Sequence, residues 1–147
     1  MTAQDRQDQL RKLLSELQMM RGTAETLQER LQLLQGAVTD LSIALTTVTG
    51  LKDAEEGAPI LVPTGANTFV NANLGDLSTI IIDIGAAVSV DMTLEEAEEN
   101  MRGRLEELQD ISASVQQQLQ QVVSQMQMHQ DVINRLGASI QGAPPVV

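Results

Sequence analysis

From Leu10 onward, apolar residues recur at intervals that alternate three and four: Leu10, Leu13, Leu17, Met20, Ala24, Leu27, Leu31, Leu34, Val38, Leu41, Leu45 and Val48. A 3.5-residue period held over twelve positions is the stripe of a helix that buries one narrow seam against another helix. Gln, Arg, Glu and Asp fill the positions between and suit a solvated outer face. Gly22 and Gly36 both fall on the outward side, where each costs about 1 kcal/mol without opening the seam. Gly50, Gly57 and Pro59 stop the helix, so residues 1–50 read as one coiled-coil helix.

A second stripe follows Thr93-Leu-Glu-Glu96, whose S/T-x-x-E spacing is that of a capping box. It runs Met101, Leu105, Leu108, Ser112, Val115, Leu119, Val122, Met126, His129, Ile133, Leu136 and Ile140, with Ser112 and His129 as its two polar members. Ile111, Val123 and Val132 sit beside it and widen it. Residues 93–141 therefore read as a C-terminal coiled-coil helix, and Gly142-Ala-Pro-Pro145 opens a flexible tail over 142–147. Each stripe spans roughly 60–70 Å at 1.5 Å per residue. One linker joins them, so pairing within the chain makes an antiparallel hairpin; intermolecular pairing is the alternative. Matching Val48 with Leu94 sets Leu13 near His129 and Met20 near Val122, with both chain ends at one tip.

Composition fits a thin core. Aromatic residues make up 1% of the chain, with one Phe and no Trp or Tyr, whereas rings supply the largest packing pieces of a rounded globule. The absence of Cys excludes disulfide scaffolds, thiolate metal sites and Cys nucleophiles, and a single His argues against a His-rich metal site or a Ser-His-Asp relay. A formal charge of −11 opposes binding to nucleic acid or to anionic membranes. No uninterrupted apolar run approaches the roughly 20 residues of a membrane span, and Met1 to Arg11 lacks the apolar stretch of a signal peptide. A soluble, cytoplasmic protein is expected.

Residues 51–92 break the helical period. Ile60-Leu-Val62, Thr68 to Leu74, Ser78 to Ile84 and Ala87 to Asp91 are short runs rich in Val, Ile and Thr, separated by Gly-containing turns. They predict four strands in two hairpins. Ile80-Ile-Ile82 is apolar on both faces, and two isolated hairpins are too small to be stable alone. The segment therefore reads as an assembly module carried by Ile60, Val62, Phe69, Val70, Leu74, Ile80, Ile81, Ile82, Ile84, Val88 and Val90, and the chain as an obligate oligomer.

Leu61-Val-Pro-Thr-Gly-Ala-Asn-Thr-Phe-Val70 with Ala72-Asn-Leu74, and Ile81-Ile-Asp-Ile-Gly-Ala-Ala-Val88 with Glu96-Ala97, resemble the strand motifs of the archaeal prefoldin alpha subunit. The order helix, two hairpins, helix covers nearly the whole chain, as one prefoldin-like domain over 1–147. Two departures stand out: Asn67 where the family often has Gly, and Ala86-Ala87-Val88 where it often places an aromatic after Gly85. The resemblance implies an α+β fold, a long antiparallel two-helix coiled coil whose hairpins assemble into an intersubunit β-barrel. It implies a hetero-hexamer of two alpha and four beta subunits acting as an ATP-independent chaperone. Such a complex captures non-native proteins at its tips and passes them to a group II chaperonin.

A holding chaperone needs accessible apolar patches, since burying apolar surface yields about 25 cal/mol per Å². It also needs several arms, because later contacts are effectively intramolecular. The expected client-binding residues are Leu10, Leu13, Leu14, Leu17, Ile133, Leu136 and Ile140 near the fraying ends, with outward-pointing Met19 and Met128. Leu13, Leu17 and Ile133 read first as residues that simply close the seam, whereas Leu10, Leu14 and Ile140 suit either role. Val146 and Val147 are further candidates in the tail. His129 reads as a partly solvated seam residue, or alternatively as a pH-sensitive loosening point. The acidic, Gln-rich shafts are expected to hold the arms apart. No catalytic, cofactor-binding or metal-binding residue can be named: Pro63-Thr-Gly65 lacks the phosphate-cradling pattern, and Glu95-Glu96 and Glu98-Glu99 are solvated helix charge. A passive tether that oligomerises through its strands is the rival reading.

Overall fold

The computed structural model describes residues 1–142; the expected tail, with Val146 and Val147, lies almost wholly outside the described residues. The element order is α1 (Ala3–Leu51), β1 (Pro59–Gly65), β2 (Thr68–Asn73), β3 (Ile80–Gly85), β4 (Val88–Met92) and α2 (Leu94–Ile140). The fold is α+β: two long helices and two antiparallel hairpins, β1–β2 and β3–β4. All 24 seam positions read from the two heptad stripes are buried or half-buried, whereas most positions between them are exposed. An 18-residue window of α1 reaches a mean hydropathy of 1.2, so this helix is long and apolar enough by composition to cross a membrane. Its apolar residues form no long uninterrupted run, because polar residues stand between the seam positions.

The chain divides into two compact units. The first, the terminal unit, comprises Met1–Gln35 with the chain from Asp110 onward. Its α1 segment is started by a reciprocal cap: the Thr2 amide donates to the Asp5 carboxylate at 2.9 Å and the Asp5 amide to the Thr2 hydroxyl at 3.1 Å. The hydroxyl and amide of Thr2 hold the Asp5 carboxyl below its ordinary value. Across the two helices, Arg6 donates to the Ser139 hydroxyl at 2.9 Å, and His129 Nε2 lies 3.0 Å from a Glu16 carboxylate oxygen. As α1 advances ten residues from Arg6 to Glu16, its partner on α2 retreats ten, so the segments are antiparallel. Leu17, Val115 and Ile133 are buried in the seam.

The second, hairpin unit is Gly36–Gln109. Its core joins Val48 at the end of α1, Ile82 of β3, and Leu94 and Ala97 of α2, with Leu51, Ile80, Met92 and Met101 packed around them. Here α2 begins on the expected cap: the Glu96 amide donates to the Thr93 hydroxyl and the Thr93 amide to the Glu96 carboxylate, both at 3.2 Å. The hairpin β3–β4 thus docks one face on the helix ends. By contrast every residue of β1 is exposed, and of β2 only Ala72 is half-buried. Backbone bonds from Gly57 to Leu74 and from Leu74 to Ala58 close the base of that hairpin.

Both hairpins turn in the same way. Gly65 and Gly85 have φ of +105° and +103°, and each is followed by two residues in the left-handed region: Ala66 (45°) and Asn67 (59°), then Ala86 (51°) and Ala87 (59°). Consecutive positive φ values match the twist of a tight two-residue hairpin turn. Asn67 suits this geometry, which is why it can stand where glycine is common. The alanines do not, since a Cβ there costs roughly 1–2 kcal/mol per residue. Ala87→Gly is therefore expected to stabilise the chain by about 1 kcal/mol, because relief of the Cβ clash exceeds the added unfolded-state entropy. Urea unfolding checks this, and an unchanged or lower midpoint would count against strain at the turn.

One ion cluster also braces the hairpin unit. Lys52 Nζ, just past α1, lies 2.8 Å from the Glu98 carboxylate, which also meets Arg102 one turn along α2. The Lys52 hydrogen bond, aided by the charge of Arg102, holds the Glu98 carboxyl below 4.5, while Glu98 in turn raises Lys52 above 10.5. A depressed acid contributes stability above its unfolded value and loses it as pH falls through the folded one. For the raised lysine, stability is present below its unfolded value and lost as pH climbs past the folded one. Hence the pair works fully between about pH 4.5 and 10.5. Glu98→Gln should flatten the acid limb of a melting temperature profile below pH 4.5; an unaltered slope there would deny the pair its role.

Candidate functional site

Two surfaces carry the expected functional residues, one on each unit. In the hairpin unit, Ile60, Val62, Phe69, Val70, Ile81, Ile84 and Val88 are exposed. The rest of the expected assembly set is used differently. Ile82 is 6% exposed and belongs to the core, Ile80 packs against it, and Val90 and Leu74 are half-buried. Strand alternation explains the split in mid-strand, where Ile81 pairs with Asp91 on one face, at 74% exposure, while Ile82 and Val90 pair on the face that docks on the helices; Ile84 and Val88 stand at the register shift beside the turn and are exposed. The isoleucine ladder is therefore covered on one face from within the chain and open on the other. Leu61, 64% exposed opposite Asn71, belongs with the open residues and was missed. Its place between Ile60 and Val62 in an alternating run was the available signal.

In the terminal unit, the expected client-binding residues separate into two groups. Leu17 and Ile133 are buried, and Leu10, Leu13, Leu136 and Ile140 are half-buried, so all six serve the seam. Leu14, Met19 and Met128 are exposed, as is Val132, which widens the stripe. Met19 and Met20 line a groove of about 300 Å³ with Glu16, Thr23, Val122 and Gln125. Glu16, Met19 and Thr23 are spaced to share one side of α1, and Gln125, Met128 and Val132 one side of α2.

His129 occupies the seam with its side chain 23% exposed. Nε2 faces the Glu16 carboxylate and Nδ1 the Gln125 carbonyl at 3.0 Å. Both partners are acceptors, and only the imidazolium can donate to both. Protonation would thus add a hydrogen bond, to Glu16 across the helices or to Gln125 within α2 according to the tautomer, without breaking the one already made. No group of three or more metal-ligating side chains occurs among the described residues.

The order of elements, with two hairpins between two heptad helices, is specific enough to compare with known proteins. A family described as Prefoldin subunit matches residues 20–139. The chain belongs to the prefoldin family. Prefoldin alpha subunits of archaea resemble it over most of their length: that of Methanopyrus kandleri is 31% identical over 116 residues, covering 79% of this chain and 74% of that one. The Pyrococcus horikoshii prefoldin alpha subunit is 33% identical over 100 residues, 67% of this chain and 68% of its own. A filamentous PFD from Methanocaldococcus jannaschii, seen by cryo-EM, superposes with a TM-score of 0.65 at 20% identity, covering 80% of this chain and 95% of that one, and shares the fold.

As a member of a chaperone family, this prefoldin chain distributes its charge unevenly. Of its 20 acidic and 9 basic residues, thirteen and three lie in Gly36–Gln109, a net of −10, and seven and six in the remainder, a net of −1. Acidity spread along both helices was expected. Instead the terminal unit, where Leu14, Met19 and Met128 stand exposed, is nearly neutral.

Proposed function

We propose that this chain is an alpha-type subunit of an ATP-independent holding chaperone, one prefoldin-like domain assembled through its hairpins. In this reading the open faces of β1–β2 and β3–β4 join those of prefoldin beta subunits, two alpha with four beta, in a shared β-barrel. The terminal units then hold non-native proteins in the cytoplasm and hand them to a group II chaperonin. The observation that carries the proposal is the unpaired apolar surface of the hairpins, with Leu61, Phe69, Val70 and Ile81 turned to solvent in a family of chaperone subunits. Edges and faces of that kind invite further strands.

Clients have no fixed shape, so the capture surface should be apolar, adaptable and electrically bland. Leu14, Met19 and Met128 on a unit of net charge −1 meet that description. The test has two readings. The chain mixed with a beta subunit should give a discrete six-chain particle by native mass measurement, and that particle should suppress light scatter from an aggregating enzyme. A passive tether would assemble yet leave the scatter unchanged. Replacing Leu14, Met19 and Met128 together by Ser should raise the amount of complex needed for half-suppression about tenfold, equivalent to ~1.4 kcal/mol. Particle mass should not change, and equal suppression by the triple variant would place capture elsewhere.

A further inference from the structure

We propose that Met19 and Met128 are oxidation sites that switch off the capture surface, an inference that rests on the client-capture reading above. The argument begins with accessibility. Met19 and Met128 are 72% and 64% exposed, whereas Met20 and Met126, close to them in sequence, occupy the half-buried seam. Two thioethers are therefore open to solvent oxidants and two are shielded by the opposite helix.

Chemistry follows from that difference. A hydroperoxide transfers its terminal oxygen to the thioether sulfur; the O–O bond breaks, sulfur is oxidised to the sulfoxide, and the peroxide leaves as water or an alcohol. The product is polar and chiral in place of a flexible apolar group. At Met19 the change falls on the wall of the groove shared with Met20 and Val122. Met128 lies one turn from Gln125, which lines that groove, and is itself exposed on the same side of α2. An apolar client side chain would then meet two sulfoxide dipoles where it had met methyl thioethers. The seam beneath, with Met20 and Met126 still reduced, keeps the helices paired. Oxidation thus removes capture while sparing the fold.

The experiment treats the assembled complex with hydrogen peroxide, removes the oxidant, and maps sulfoxides by peptide mass spectrometry. Met19 and Met128 should oxidise about tenfold faster than Met20 and Met126. Aggregation suppression should fall by about half or more at unchanged particle mass. Met19→Leu with Met128→Leu, compared with its own untreated level, should show no loss of suppression on peroxide treatment, which also discounts exposed Met1. Met19→Gln with Met128→Gln should behave as the oxidised form without any oxidant. If the peroxide-treated native complex suppresses as well as the untreated one, or the leucine variant loses suppression on treatment, the switch is overturned while client capture stands. If the untreated native complex fails to suppress, the capture reading falls and the switch with it.

Discussion

Ile82→Ala is expected to lower the unfolding free energy of the isolated chain by about 2–5 kcal/mol, the range for emptying a well-packed aliphatic site. Ile82 is the one strand residue buried in the core that joins Val48, Leu94 and Ala97. Truncating it leaves a void between three elements that cannot all close in, because Ala97 is already fully buried. Ile81→Ala, one residue away, supplies the control. Its side chain faces solvent in the single chain, so the isolated protein should change by no more than about 0.5 kcal/mol. Denaturant unfolding of both variants reads the difference directly. Equal effects would mean that β3–β4 does not dock on the helix ends.

Ile81→Asp reverses the ranking. The isolated chain should unfold much as before, since an aspartate at this position is solvated and opposite-face packing is untouched. In the proposed complex the same position is covered by a neighbouring subunit. Losing an isoleucine burial of about 1.5–3 kcal/mol should weaken each affected contact at least tenfold to a hundredfold, and burying an unpaired carboxylate adds to the loss. Phe69→Asp, on the hairpin whose strand residues are all exposed but Ala72, should act likewise. Native mass measurement at micromolar concentration should then show free chains instead of a six-chain particle. A particle that survives both substitutions would remove the open hairpin faces from the assembly.

Much of this architecture could be read from the residues because it depends on local pattern. A seam repeating every 3.5 residues, a Thr93–Glu96 cap and Gly-punctuated β runs each carry their own geometry, and the helices and strands fall within a few residues of those signals. What escaped depends on distant neighbours. Ile80-Ile-Ile82 is apolar on both faces, so alternation cannot say which face meets Val48 and Leu94; only the fold does. The left-handed Ala66, Ala86 and Ala87 were missed because alanine carries no preference for that region, unlike Asn67. The Thr2–Asp5 cap was overlooked since Asp replaces the usual Glu. Charge partition required knowing which stretches of chain share a unit, and a total of −11 conceals it. The site was least legible: exposure separates Met19 and Met128 from Met20 and Met126, and exposure is a property of the folded pair.

The Glu16–His129 contact bears on how the two strands of this rope avoid slippage. Rungs of leucine, valine and methionine are close to interchangeable, so sliding one helix past the other by a heptad, about 10 Å, would bury nearly the same oily area. Such a slide separates Glu16 from its imidazole and brings Gln9 or Thr23, neither of them charged, to its place beside His129, the kind of penalty by which one polar residue singles out an alignment. The lone histidine is a vernier mark: it gives up a little cohesion, and in return a degenerate ladder clicks into a single setting.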